Sequence, residues 1–356
     1  MANSGADRAL PTLPRDRFRG CLLGGAVGDA LGAPVEFMSH AEILDRFGPT
    51  GITGFAPAYG GLGRITDDTQ LTLFTAEGLL EGWASGCTDG RACVVRATHR
   101  AYLRWLRTQD ENPDACAGDD APPEGWLLGH RRLHSRRGPG PTCLTALQTA
   151  GEPGTPADND RKGCGGVMRV APVGLFLWRP TMANSYRPAF ALASQLAGLT
   201  HGHPTGQLAA GVLAVLVQGL LDDLSLEAAL AGGKVILASH PGHEETLSLL
   251  EQAEMLARSD LPRAAAVTAL GQGWLAEEAL AIAVYCALVA ESFTDGVVLA
   301  VNHDGDSDST GAIAGHLLGA RHGAQAIPSE WLEVLELGDV IADVADRLAQ
   351  LAGSVG

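Results

Sequence analysis

Apolar residues in this chain recur at i, i+3 and i+4 rather than at every second position. The pattern runs through 17–31, 67–83, 91–107, 189–199, 207–221, 244–257, 277–292, 311–318 and 337–351. That spacing gives each segment one apolar stripe along a helix. No β-branched alternating run exceeds a few residues, so strands are not expected. Small residues on the helical faces let helices approach closely, which predicts an all-α, compact many-helix bundle.

Glycine- and proline-rich stretches at 48–63, 109–125, 138–141 and 151–166 separate the helical segments as loops. Residues 110–123 are polar and proline-rich and read as a surface insertion. No repeat of fixed period and no break in composition divides the chain. The expectation is a flexible N-terminal segment, 1–16, followed by a single domain, 17–356.

Charge narrows the function. The chain has 356 residues, 46% of them hydrophobic, with 25 Lys and Arg against 41 Asp and Glu and a net charge of −16. Nucleic-acid binding calls for a basic stripe, and none is present. Arg131, Arg132, Arg136 and Arg137, with His130 and His134 among them, form a short basic cluster that reads as a solvated loop. No apolar run looks long enough to cross a bilayer, and the N-terminus lacks the apolar stretch of a secretory signal. Seven cysteines, an odd number with no CxxC pair, suggest reduced thiols in the cytoplasm.

The candidate chemistry lies in two acidic runs. Thr66-Asp67-Asp68-Thr69 stands just before an apolar helical run, where it is good capping chemistry. Adjacent Asp residues there point about 100° apart, so they could also serve one or two cations. Asn302 to Gly311 carries Asp304, Asp306 and Asp308 at alternate positions in a glycine-containing turn. An EF-hand is excluded because its glycine and distal glutamate are misplaced; a solvated acidic loop and half of a binuclear site both remain. Neither acidic run contains a Lys or Arg. If they converge, their carboxylates repel unless protonated or met by cations. Within Thr66–Thr69 and Asp306-Ser307-Asp308-Ser309 the donors are all oxygens, without Cys or His, which favours Mg²⁺, Mn²⁺ or Ca²⁺.

Three further segments are weaker signals. The run from Gly24 to Phe37 places glycines in a helix, implying close backbone packing, and puts Glu36 just beyond Pro34, either at a pocket or on the surface. Lys162 to Arg169 is a glycine-rich turn, suited to phosphate contact or simply to packing, and it lacks the P-loop signature. In Thr200-His201-Gly202-His203-Pro204 the proline starts a new segment, so a helix-end or ligand-contacting role fits the histidines better than metal ligation.

GDALGAPVEF, ITDDTQLTL, GCGGVMRVAP, LTHGHP and NHDGDSDSTGAIAG, in that order from Arg19 to about Gly319, together resemble the ADP-ribosylglycohydrolase family. The resemblance implies an all-α orthogonal bundle with a central cleft holding two Mg²⁺ or Mn²⁺ ions. By position, Thr66, Asp67 and Asp68 match one group of metal ligands, and Asp306, Asp308 and Ser309 the other. Glu36 matches a glutamate beside the metals, making Glu36, Asp67, Asp68 and Asp308 the implied catalytic carboxylates. Gly163, Cys164, Gly165, Gly166, Val167 and Met168 match a loop near the diphosphate, and His201 matches a residue lining the ADP-ribose cleft. Some members carry Asn where this chain has Cys164, which removes a polar contact. The implied reaction is hydrolysis of the glycosidic bond between ADP-ribose and a modified acceptor, with ADP-ribosyl-arginine on protein first in line. Alternatives are O-linked ADP-ribose on serine or threonine, O-acetyl-ADP-ribose, a metal-dependent phosphohydrolase, or non-catalytic binding of ADP-ribose. The implied partners are ADP-ribose and an ADP-ribosylated protein or small molecule, acted on by a monomer.

Overall fold

A computed structural model describes residues 14–86, 90–109, 125–180 and 185–354. Among them there is no strand, only two isolated bridges. The helices are α1 (Arg15–Gly32), α2 (His40–Phe47), α3 (Asp67–Ala84), α4 (Arg91–Thr108), α5 (Pro141–Gln148), α6 (Ala171–Leu177), α7 (Arg187–Gly198) and α8 (Pro204–Leu221). They continue as α9 (Leu226–Leu237), α10 (Glu244–Ala257), α11 (Arg263–Leu270), α12 (Ala276–Val289), α13 (Phe293–Val301), α14 (Ser307–His322), α15 (Ser329–Val334) and α16 (Gly338–Ser354). The fold is all-α, as the apolar spacing predicts.

The helices that the spacing does not reveal, including α2, α5, α11 and α15, are only two turns or so long, too few to display a period. In α9 the pair Gly232-Gly233 interrupts the stripe. Three expectations need correction. Arg15 and Asp16 belong to α1, with Phe18 buried one turn on, so the helix takes the end of the segment expected to be flexible; residues 1–13 lie outside the described ones. The proposed insertion at 110–123 also lies outside them. Helix α8 is long and apolar enough to cross a membrane by length and composition, with a mean hydropathy of 1.5, but 89% of it is buried inside the bundle. It is a central core helix, apolar all round for that reason. Cysteine usage differs too: Cys93 is disulfide-bonded, while Cys21, Cys143, Cys164 and Cys286 are free. An odd count requires only one unpaired thiol and never excluded a bridge.

The glycines of α1 explain how the site is positioned. Gly20, Gly24, Gly28 and Gly32 recur every fourth residue and face α14. A Cβ on Gly28 would collide with the carbonyl oxygen of Gly311, one on Gly24 with that of Gly315, and one on Gly20 with that of Gly319. The two backbones therefore touch along an i±4 seam. Each glycine costs the helix about 1 kcal/mol relative to alanine, an expense offset by this approach. At its end the seam sets Gly32 against Ser307, which fixes the close of α1 beside the opening turn of α14.

Candidate active site

A cavity of about 500 Å³ opens where the first turns of α3 and α14 meet the end of α1 and a 3₁₀ turn at Cys164–Gly166. Thr66 caps α3, its hydroxyl accepting from the Asp68 amide at 3.3 Å. Asp306 caps α14, its carboxylate accepting from the Ser309 amide at 3.4 Å. The capping reading is thus borne out at the start of α3, and the start of α14 is capped as well. Helix α14 starts at Ser307, so Asp308 lies in its first turn rather than in a loop ahead of it. Two helix N-termini aim their positive ends at one place, which favours anionic groups there.

Asp67, Asp68, Asp306, Asp308 and Glu36 all line the cavity. Oxygens of Glu36, Asp306 and Asp308 lie within 4.8 Å of one another. Behind them sits Asp29, fully buried on α1, a residue that sequence reasoning passed over inside GDALG. Its carboxylate accepts from the Thr66 amide at 3.0 Å, from the Thr69 amide at 3.1 Å and from the Thr69 hydroxyl. Asp68 Oδ1, by contrast, is buried with no partner. Burial first, then mutual repulsion with Asp308, pushes Asp29 up to about 7. The same two causes raise Glu36 to about 10 and lift Asp67 and Asp68 well above the ordinary carboxylate range. Asp306 is likewise raised by burial and by Asp308.

The facing wall is the glycine-rich turn. Gly163, Cys164, Gly165 and Met168 line the cavity, as do His201 and Ser309. Thr66, Gly166 and Val167 do not. Thr66 stands behind Asp68, Gly166 packs on Ala197, and Val167 is in the apolar core. The turn is fastened to the chain ahead of α12: Cys164 N donates to Trp274 O at 3.0 Å and Ala276 N to Lys162 O at 2.9 Å. Cys164 Sγ donates to Asp306 Oδ2 at 2.7 Å, so the thiol that replaces a polar side chain still makes a polar contact. His201 is lowered to about 3 by burial and then by Arg169, and is neutral. Its Nδ1 pairs with Thr200 Oγ1 at 2.8 Å, and that hydroxyl accepts from Arg169 at 2.6 Å. His203 is the N-cap of α8, a helix-end role.

The basic cluster is not simply a solvated loop. Arg137 is buried, ion-paired with Glu336 and hydrogen-bonded to the Ile65 carbonyl at 3.0 Å. Its own carbonyl accepts from the Asp67 amide at 3.1 Å. Arg136 is exposed at the cavity. Phe37, Trp274 and the loop Gly138–Thr142 also line the cavity without having been singled out. Phe37 had proximity to Glu36 as its advance signal and Gly138–Thr142 the glycine-proline run; Trp274 had none.

The description ADP-ribosylglycohydrolase fits residues 10–356, nearly the whole chain. The chain belongs to the ADP-ribosylglycohydrolase family. It is 27% identical over 349 residues to the ADP-ribosyl-[dinitrogen reductase] glycohydrolase of Rhodospirillum rubrum, covering 95% of this chain and 97% of that one. It is also 27% identical over 352 residues to an ADP-ribosylarginine hydrolase of Pseudomonas putida, covering 97% and 81%. A solved ADP-ribosylglycohydrolase-related protein complex matches with a TM-score of 0.66 and 27% identity, over 95% of this chain and 98% of that one. As an ADP-ribosylglycohydrolase the protein is a hydrolase of ADP-ribosyl linkages, and the acid-lined cavity is its candidate active site.

Proposed function

We propose that this ADP-ribosylglycohydrolase cleaves the N-glycosidic bond between ADP-ribose and an arginine side chain of a modified protein. The convergence of five carboxylates on one cavity, with the exposed Arg136 as its one lining cation among the described residues, carries this reading. The R. rubrum relative acts on an ADP-ribosylated protein and the P. putida relative on ADP-ribosylarginine, which favours arginine as acceptor.

The residues present fit two Mg²⁺ or Mn²⁺ ions. All donors are hard oxygens, and Asp68 Oδ1 is a buried carboxylate oxygen otherwise without a partner. Asp67 and Asp68, backed by Thr66, would hold them from α3, and Asp306, Asp308 and Ser309 from α14. Bound there, such ions bind sugar hydroxyls and lower the pKa of water.

The chain's own groups then have distinct tasks. The carboxylate wall stabilises the positive charge that builds at the anomeric carbon as the acceptor nitrogen departs. Glu36, half-buried at the cavity edge, is placed to move the proton between the attacking water and the leaving nitrogen. Water supplies the new hydroxyl on the sugar and the guanidine leaves with a proton. Gly163, Cys164, Gly165 and Met168 of the glycine-rich turn line the cavity from the other side, where the diphosphate would lie.

Incubation with ADP-ribosyl-arginine and ADP-ribosyl-serine peptides, with Mg²⁺, Mn²⁺ or chelator, tests the proposal by mass spectrometry. Cation-dependent release of intact ADP-ribose from the arginine peptide is the expected result. Release from serine alone would move the acceptor to the O-linked class, and AMP as product would overturn glycosidic cleavage.

A further inference from the structure

Phe37 is the most exposed large apolar side chain among the described residues, at 73%. It directly follows Glu36 and sits in the left-handed region, with φ of 67°. Non-glycine residues held there are uncommon and cluster at ligand sites. The strain is maintained by neighbours on both sides: Glu36 N donates to Gly32 O at 3.0 Å, Phe37 N to Gly305 O at 3.3 Å, and Met38 N to Val35 O at 3.0 Å. The ring stacks on Trp274, with centroids 5.2 Å apart and planes 21° from parallel. Trp274 is in turn tied by its carbonyl to Cys164. An aromatic pair is thus presented to the cavity edge on rigid supports, one residue from a carboxylate in the acidic cluster.

Beyond its stack on Trp274, this exposed phenylalanine gains little burial for a strained backbone. Tyr59 repeats the oddity on the same rim: φ is 48°, exposure is 42%, and its hydroxyl lies beside Gly138, which also neighbours Glu36. A ring face next to carboxylates is the chemistry that receives a guanidinium, through cation–π attraction and opposite charge. A serine hydroxyl gains nothing from either.

We propose that Phe37, seated on Trp274, recognises the acceptor by stacking against the arginine guanidinium leaving from the sugar. This rests on reading the cavity as the hydrolase site. The test compares Phe37→Ala, Phe37→Leu and Phe37→Tyr for KM on an ADP-ribosyl-arginine peptide and for calorimetric affinity toward free ADP-ribose. Phe37→Ala and Phe37→Leu should raise KM about 2- to 30-fold, the range that cation–π attraction spans. Phe37→Tyr should stay near wild type, and ADP-ribose affinity should hold within about twofold in all three, since free ADP-ribose lacks the acceptor. Parallel loss of ADP-ribose affinity would place the ring on the nucleotide instead. Phe37→Leu behaving like wild type would reduce it to apolar cover. Either result overturns the proposal.

Failure of the hydrolase reading would look different. Wild type would then release no ADP-ribose from either peptide. Calorimetric affinity for the intact arginine peptide, relative to ADP-ribose, would still decide the role of Phe37, by falling in Phe37→Ala or staying constant.

Discussion

Glu77 and Glu336 are carboxylates buried as deeply as Asp67 and Asp308, yet they live in opposite surroundings. Glu77 accepts from Arg104 Nε at 3.0 Å and Nη2 at 2.6 Å, and from the Leu127 amide at 2.8 Å. Glu336 accepts from Arg137 and, at 2.6 Å, from Arg64. Burial pushes Glu336 up, but the hydrogen bond and charge of Arg137, with Arg64, more than reverse it, and the net shift is downward. The cavity cluster has no such arginine. There burial and the charge of Asp308 act in the same direction on Glu36, Asp67, Asp68 and Asp306, burial alone raises Asp308 against its own hydrogen bonds, and every carboxylate rises. Where buried charge serves the scaffold, the fold supplies its counter-ion. Where the fold leaves it uncompensated, the carboxylates are either protonated or met by charge from outside the chain, the place the proposed cations would take.

The largest effect that would break this comparison is at Asp308. Asp308→Asn should lower turnover by about 10²–10³-fold, the scale of losing one preorganised electrostatic group. It should also abolish the rise in melting temperature that the proposed Mg²⁺ or Mn²⁺ binding would give the unsubstituted protein. Undiminished turnover, or full activity in the presence of chelator, would remove the cation reading. The paired cluster should fail in the other currency. Glu77→Gln leaves Arg104 without its main buried counter-charge and should cost about 3–5 kcal/mol of stability by denaturant titration. The fraction that folds should turn over substrate normally.

The sequence disclosed the cavity cluster better than the paired one, for a physical reason. Thr66 to Asp68 and Asp306 to Ser309 are local runs at helix starts, where capping patterns and oxygen density can be read along the chain. The pairing of Arg137 with Glu336 spans 199 positions, and nothing in either neighbourhood announces it. The basic cluster was accordingly read as solvated. Asp29 was hidden in the same way, because the amides that satisfy it belong to Thr66 and Thr69 on another helix. The glycine seam was half legible: close packing was implied on α1, but the partner α14 was not. Trp274 emerges only when the chain before α12 pairs with the turn at Gly163.

A smaller effect is the response to pH. Asp29 and Glu36 have folded pKa values raised above their unfolded ones, to about 7 and about 10. Stability from such groups is fully present below the unfolded value, near 4, and is lost as pH rises through the folded value. Buried His99 and His316, lowered by burial to about 4, run the other way: their contribution is present above about 6.5 and lost as pH falls toward 4. Cation-free protein should therefore be most stable in mildly acidic solution and soften toward pH 8. Saturating Mg²⁺ or Mn²⁺, at 100 times Kd, should add about 2.7 kcal/mol for each ion bound and move the optimum upward. Thermal scans from pH 5 to 8 with and without chelator check this, and an identical optimum in both would contradict it.

The smallest effect sharpens the comparison from within the paired cluster. Arg104 Nη2 contacts Glu81 at the same 2.6 Å as Glu77. By distance alone the two glutamates are equivalent. By surroundings they are not, because the Glu81 side chain is 36% exposed and Glu77 is fully buried. Water already screens Glu81, and Arg104 retains Glu77 when Glu81 is neutralised. Glu81→Gln should therefore cost under about 1 kcal/mol, in the range of surface ion pairs. If it cost as much as Glu77→Gln, the distinction between buried and screened partners would fail. The same inference would then lose its force at the cavity, where the lack of a buried counter-ion among the described residues is what supports the proposed cations.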